Sequence, residues 1–375
     1  MDKSSLKKVL LMYISEESGH HRASLAIEKA LKIIEPNIDT LNINAFNYTN
    51  PILEKIINKT YIGIIKRTPE MWEYLYDNPK IVKNTQGLRD LIHKFNSGKL
   101  MNLLEDFYPS VICCTQAFPC GMVADYKKTY GFPVSLIAVL TDYMPHSYWI
   151  YDNVDYYIVP SEDTKLRLIE NGIPNEKIRV FGIPVDPGFS NGVDRKFVFN
   201  RIGLNETLPV VLLMGGSQGL GPMAEIALSL DRLKIEFQLV IICGHNSKLK
   251  KFLERKRGRF KKSVLIFEYV DNINEFMAIS SLIITKPGGL TTAEALSRNL
   301  PMVIVNPIPG QETNNTNFLL KTGVALKAES EDDISVLTLE LLNSRNKLNQ
   351  MKELTKNVSK PNASIDLAKF ILQLL

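Results

Sequence analysis

Cysteine is scarce in this sequence: Cys113 and Cys114 are adjacent, Cys120 follows six residues later and Cys243 stands alone. That arrangement offers neither a disulfide framework nor Cys-x-x-Cys metal spacing, and it reads as a reduced, cytosolic chain. No run approaches the roughly eighteen apolar residues that a membrane span requires. The N-terminal apolar run Val9 to Ile14 is too short for a signal-peptide core and fits a buried first strand. Any membrane contact is therefore expected to be peripheral. Charge of one sign is also lacking overall, with 45 Lys and Arg against 40 Asp and Glu. There is no fixed-period repeat, no low-complexity tract and no Asp-x-Asp pair of the kind that holds a metal-bound diphosphate, so neither a metal nor a cofactor is expected.

What is present is ordinary globular composition, 45% hydrophobic and 23% charged over 375 residues, enough chain for two domains with separate cores. Short apolar runs alternate with helical periodicity. The runs "VLLMYI", "SVICC", "VSLIAVLTD" and "YYIVPS" read as strands of one α/β unit, with a helix over Arg22 to Ile34 carrying Leu25, Ile27, Ala30, Leu31 and Ile34 at helical spacing. A second series runs through "PVVLLMGG", "FQLVIICG", "VLIFEY", "SLIIT" and "PMVIVNP", the pattern of a parallel sheet covered on both faces. The Gly- and Pro-rich "GIPVDPGFSNG" between them is a natural hinge. The expected division is residues 1–188, 189–358 and a terminal helix at 359–375, which could pack back on the first domain. The polar piece from Asn343 to Asn362 reads as a linker. Two open sheets of this kind bind ligands at the carboxyl ends of their strands.

Two glycine-bearing turns point to an anion. "VVLLMGGSQGLGPMAEIALSL" is a strand, a loop with Gly215, Gly216, Gly219 and Gly221, and a helix with Pro222 expected in its first turn. Amides exposed at a helix start suit phosphate, and a plain tight turn rarely needs four glycines. The same loop fits the Gly-x-Ser-x-Gly elbow of hydrolases and a dinucleotide fingerprint, but both fail on context. The only later histidine is His245, about one strand away, and the acid a nicotinamide site wants some 20 residues on is replaced by "VIICG". In "TKPGGLTTAEALSRN", Gly288 and Gly289 lead into a second helix. There Glu294 has two readings: partner of Thr291 in a capping box, or acceptor for both hydroxyls of a ribose. The next motif, "NPIPGQE", favours the second, because Gln311 and Glu312 offer donors and acceptors suited to sugar hydroxyls.

Taken with "SGHHRASLAIEKAL", "GGSQGLGP" and "ICGHN", these motifs resemble the monogalactosyldiacylglycerol synthase and processive diacylglycerol glucosyltransferase family, in order and over nearly the whole chain. The resemblance implies a GT-B fold of two Rossmann-like domains with parallel sheets facing an interdomain cleft. It implies that Gly216, Ser217, Gln218, Gly219, Gly288 and Gly289 meet the diphosphate of a UDP-hexose, that Glu294 holds the ribose and that Val270 meets the uracil. His245 and Asn246 would join the donor site, and Gln311 and Glu312 would bind the hexose. In the acceptor half, Ser18 and His20 stand where the family has glycine. His21 matches the family's histidine and is the expected base, with His20 its rival or an acceptor contact. The segment "LTDYMPHSYW" supplies Asp142 to support the base, and His146 and Trp149 beside the acceptor, although Trp149 also fits simple packing.

The implied activity is inverting transfer of galactose or glucose from a UDP-sugar to diacylglycerol at the inner face of the cell membrane. An acceptor carrying a polyprenyl chain, with UDP-N-acetylglucosamine as donor, is the alternative. A basic nucleic-acid binder is a third reading, resting only on the nine Lys and Arg between Lys248 and Lys262, and no recognition motif supports it. That run and the aromatic, basic segment Tyr61 to Asn78 both suit an anionic membrane surface.

Overall fold

The structure is a computed structural model that describes residues 7–16, 18–49 and 98–375. The segment Tyr61 to Asn78 lies outside the described residues. The chain clusters into two compact units: Met1–Pro187 with Ile308–Gln311 and Asn362–Leu375, and Gly188–Pro307 with Glu312–Pro361.

In the first unit β1 (Lys8–Tyr13), β2 (Asp39–Asn44), β3 (Val111–Cys114), β4 (Ser135–Val139), β5 (Tyr156–Val159) and β6 (Ile178–Val180) form one sheet in the order β2-β1-β3-β4-β5-β6. Every pairing is parallel. A parallel sheet is covered on both faces, so its central strands are apolar at nearly every position. The period-two alternation of a strand divides them between two cores. Leu10, Met12, Ile112, Cys114, Leu136 and Ala138 face one core, and Val9, Leu11, Val111, Cys113, Ile137 and Val139 the other. The adjacent Cys113 and Cys114 thus point to opposite faces; all four cysteines are buried free thiols, and burial pushes the Cys113 thiol far up. The C-terminal helix Ala363–Gln373 belongs to this unit, where Leu367, Ala368 and Ile371 pack with Ile27, Ala30 and Leu31 of the first helix, Gly19–Ile34.

In the second unit β7 (Val210–Met214), β8 (Gln238–Ile242), β9 (Ser263–Phe267), β10 (Leu282–Thr285), β11 (Met302–Ile304) and β12 (Ala325–Lys327) form a second parallel sheet, ordered β12-β11-β10-β7-β8-β9. One expectation is corrected here. The polar piece read as a linker is largely a helix, Arg345–Val358, whose buried Leu348, Met351 and Thr355 recur at helical spacing among lysines and asparagines. Among the described residues no helix is long and apolar enough to cross a membrane.

Candidate active site

Five motifs separated in sequence share one edge of the second sheet. Ile304, Thr285, Met214, Ile242 and Phe267 end five neighbouring strands, and each stands opposite the next in the pairing register. The chain leaves those residues as "VNPIPGQE", "KPGG", "GGSQGLG", "CGHN" and "EYV". Parallel register therefore delivers Glu312, Gly288, Gly289, Gly216 to Gly219, His245, Asn246 and Val270 from the carboxyl end of one sheet, with Gln311 opening the helix Gln311–Lys321 after β11.

The loop after β7 corrects one step of the sequence argument. All four of its glycines have a backbone reason. Gly216, Gly219 and Gly221 have φ of 71°, 56° and 98°. A Cβ on Gly215 would lie 2.2 Å from the Leu220 carbonyl oxygen, and one on Gly219 would lie 2.0 Å from that of Cys243. The glycine count is thus explained by the turn and by its close packing on the loop after β8. The His245 amide donates to the Ser217 carbonyl at 2.8 Å. Asn246 is spent on the scaffold as well: its Nδ2 donates to the Gly219 carbonyl at 3.1 Å, and its Oδ1 accepts from the Leu249 amide at 3.0 Å, capping the helix Ser247–Lys256. The His245 ring stacks on Tyr269 at 4.5 Å. Pro222 sits at the cap of the helix Met223–Asp231, one residue before its first turn.

The turn after β10 differs. Gly288 caps the helix Gly289–Ser297 with φ −63° and ψ 137°, and no side chain contributes to the cap. A Cβ there would meet nothing within 4 Å. Neither torsion nor neighbours demand glycine at this position. Thr291 is the third residue of this helix, so the capping box proposed for it with Glu294 does not exist; Glu294 is the sixth, and only 9% exposed. Behind the turn, the Lys286 ammonium lies 3.3 Å from Glu312 Oε2.

In the first unit the two histidines occupy the first turn of the helix Gly19–Ile34, at the carboxyl end of β1. Ser18 explains its departure from the family's glycine: its Oγ caps this helix, accepting from the His21 amide at 3.2 Å. The two rings then diverge. His21 Nδ1 donates to the Glu16 carbonyl at 2.5 Å, and its ring stacks on Tyr13 at 4.1 Å. The Tyr13 hydroxyl donates to Glu16 Oε2, which lies 3.7 Å from His21 Nδ1. His20 Nδ1 donates to the Thr115 carbonyl at 2.8 Å and contacts the Thr141 hydroxyl at 2.9 Å. A carbonyl only accepts, so in the neutral ring each Nδ1 carries the proton and each Nε2 the lone pair. Burial lowers the His20 basicity below that of an ordinary histidine, opposed by Asp142 and the Thr115 carbonyl. Asp142, 7% exposed, thus acts on His20, whereas the carboxylate beside His21 is Glu16. Trp149 is 3% exposed within the core, where its indole packs, the second of its two readings. His146 lies against the rings of Tyr148 and Trp149.

Sequence reasoning missed Glu16, Thr115, Thr141 and Lys286. The first lies in the turn between β1 and its helix, the threonines directly follow or nearly follow β3 and β4, and Lys286 lies inside a motif already singled out for its glycines.

The family model for monogalactosyldiacylglycerol synthase matches residues 20–185, and that for the glycosyltransferase family 28 C-terminal domain matches residues 210–369. A processive diacylglycerol β-glucosyltransferase of Staphylococcus carnosus is 30% identical, the match covering 98% of this chain and 93% of that protein. The chain belongs to the monogalactosyldiacylglycerol synthase and processive diacylglycerol glucosyltransferase family. Another member of the family, from Bacillus cytotoxicus, is 28% identical with the same coverage of both chains. Among solved structures, Acinetobacter baumannii MurG aligns with a TM-score of 0.62 at 14% identity, covering 98% of this chain and 99% of its own. Staphylococcus aureus MnaA, solved with UDP, gives 0.64 at 15%, covering 99% and 98%. The fold is of the GT-B class, two Rossmann-like α/β units.

Proposed function

We propose that this chain is an inverting hexosyltransferase that moves galactose or glucose from a UDP-sugar to 1,2-diacylglycerol at a membrane surface. The observation that carries the reading is the register of Met214 against Thr285, which starts two glycine-bearing turns from paired strands of one sheet. Amides at two neighbouring helix starts suit one diphosphate, and the names of the family relatives supply diacylglycerol as acceptor. In the reaction the acceptor hydroxyl oxygen attacks the anomeric carbon, the bond from that carbon to the diphosphate oxygen breaks, and UDP leaves with the electron pair. His21 takes the hydroxyl proton at Nε2, its tautomer set by the Glu16 carbonyl. Charge grows on the leaving diphosphate, where fixed amides stabilise it without reorganising. The reading therefore expects UDP to bind without a divalent cation.

The membrane contact is proposed for the helix Ser247–Lys256. Its exposed Lys248, Lys251, Phe252 and Arg255 recur at i, i+3, i+4 and i+7, a basic face with one aromatic wedge. Each such cation near an anionic surface contributes about 1 kcal/mol. The enzyme would act peripherally, on the cytosolic face of the cell membrane.

The test is mass spectrometry of products after incubating the pure protein with diacylglycerol vesicles and, separately, UDP-glucose, UDP-galactose and UDP-N-acetylglucosamine with a polyprenyl-linked acceptor. A hexosyl-diacylglycerol is expected, and turnover of the polyprenyl acceptor alone would replace the proposal. Within the mechanism, His21→Ala is expected to lower kcat by about 10²–10⁴ while calorimetric UDP affinity stays within about twofold. Near-wild-type turnover would move the base to His20.

A further inference from the structure

Resting on the donor site just proposed, we infer that Lys286 is a positioning residue that aims the Glu312 carboxylate at the hexose and ties hexose recognition to the turn beneath the diphosphate. Lys286 directly follows the last residue of β10. Its ammonium reaches Glu312 Oε2 at 3.3 Å, and both side chains are nearly enclosed, at 11% and 15% exposed. The pairs Lys29–Asp186 and Lys356–Glu353, by contrast, lie in the open, where such contacts are worth little. An enclosed pair costs desolvation that its attraction only partly returns, so its value lies in orientation more than in net stability.

A second tie makes the coupling specific. Asn315, fully buried, donates from Nδ2 to the Pro287 carbonyl at 3.0 Å. Glu312 and Asn315 stand three residues apart on the helix Gln311–Lys321, hence on one face. They grip the consecutive residues 286 and 287, and the next residue is Gly288, the cap of the following helix. The first turn of one helix and the glycine turn of the other are therefore joined at two adjacent points. Because Lys286 takes Oε2, it limits the orientations of the carboxylate and so the directions from which a sugar hydroxyl reaches it. A displaced carboxylate would bind the hexose poorly while leaving the glycine turn in place for UDP alone.

The test separates hexose from nucleotide. In the full-length protein, Lys286→Met is expected to raise KM for UDP-hexose roughly ten- to a hundredfold, the weight of a hydrogen bond to a charged group. It should also narrow the preference between UDP-glucose and UDP-galactose, while calorimetric UDP affinity stays within about twofold; Lys286→Arg should recover most of the loss. Glu312→Gln should give the same split, and adding Lys286→Met to it should cost little more, which keeps the inference testable if Lys286→Met alone folds poorly. A parallel fall in UDP affinity would assign Lys286 to the diphosphate, and an unchanged KM would make the pair structural; either overturns the inference. If the wild-type protein binds no UDP at all, the donor-site reading fails first and this inference falls with it.

Discussion

The two glycine turns of the second sheet look alike in sequence and differ in what their glycines are for. In the turn after β7 the glycines answer to the fold: three have positive φ, and Gly215 and Gly219 lie against carbonyl oxygens that a Cβ would strike. In the turn after β10, Gly288 has an ordinary torsion and open space beside it. A glycine that the backbone requires says nothing about ligands, however many accompany it. One that the backbone does not require leaves room for something outside the chain. The diphosphate reading therefore draws more support from the single Gly288 than from the richer loop.

The largest effect expected from this contrast is on stability. Gly219→Ala places a Cβ 2.0 Å from the Cys243 carbonyl oxygen at a φ of 56°, and neither backbone can yield easily. Left-handed strain of about 1–2 kcal/mol and overpacking of about 1–3 kcal/mol add to roughly 2–5 kcal/mol, a large part of a typical domain's stability. Denaturant unfolding of the full-length protein should show this loss, and a near-normal midpoint would mean the two loops do not pack as described. Glu294→Ala comes next. With no capping box to break, it should lower UDP affinity roughly ten- to a hundredfold; if the thermal midpoint fell with affinity intact, Glu294 would be a packing residue. Gly288→Ala should cost about 1 kcal/mol of stability, since glycine is the better of the two at an N-cap, yet weaken UDP about tenfold by filling the approach to the amides. Unchanged affinity would show that the open space serves no ligand.

The central strands of both sheets were legible because burial on two faces leaves a continuous apolar run, as in Val210 to Met214. Three strands were not: β2, with the sequence DTLNIN, and the three-residue β6 and β12. All three are edge strands, where one side is unpaired and short, polar sequences suffice. The helix Arg345–Val358 was hidden in the same way, its buried stripe of Leu348, Met351 and Thr355 thin against a polar background. At the site, residue types and order were legible, but partners were not. Nothing in "SGHH" tells that His21 leans on Glu16 while His20 turns toward Thr115 and Thr141, because those contacts depend on which strand ends become neighbours. The glycine count misled for a related reason. Sequence records that a residue lacks a Cβ, and only coordinates record what the Cβ would have met.

Gly216→Ala bears most directly on whether the two turns act together. Gly216 shares a trait with each loop: a φ of 71°, as at Gly219, and open space for a Cβ, as at Gly288. Strain alone should cost about 1–2 kcal/mol. Well below the unfolding transition, strain that leaves the folded geometry intact does not alter affinity, so UDP titration reads ligand contact separately from stability. If one diphosphate spans both helix starts, Gly216→Ala weakens UDP, and its effect combined with Gly288→Ala departs from the sum of the two, since both contact one ligand. If UDP affinity is untouched while Gly288→Ala lowers it, the loop after β7 is architecture, and the charge of the leaving group is met by the helix Gly289–Ser297 alone.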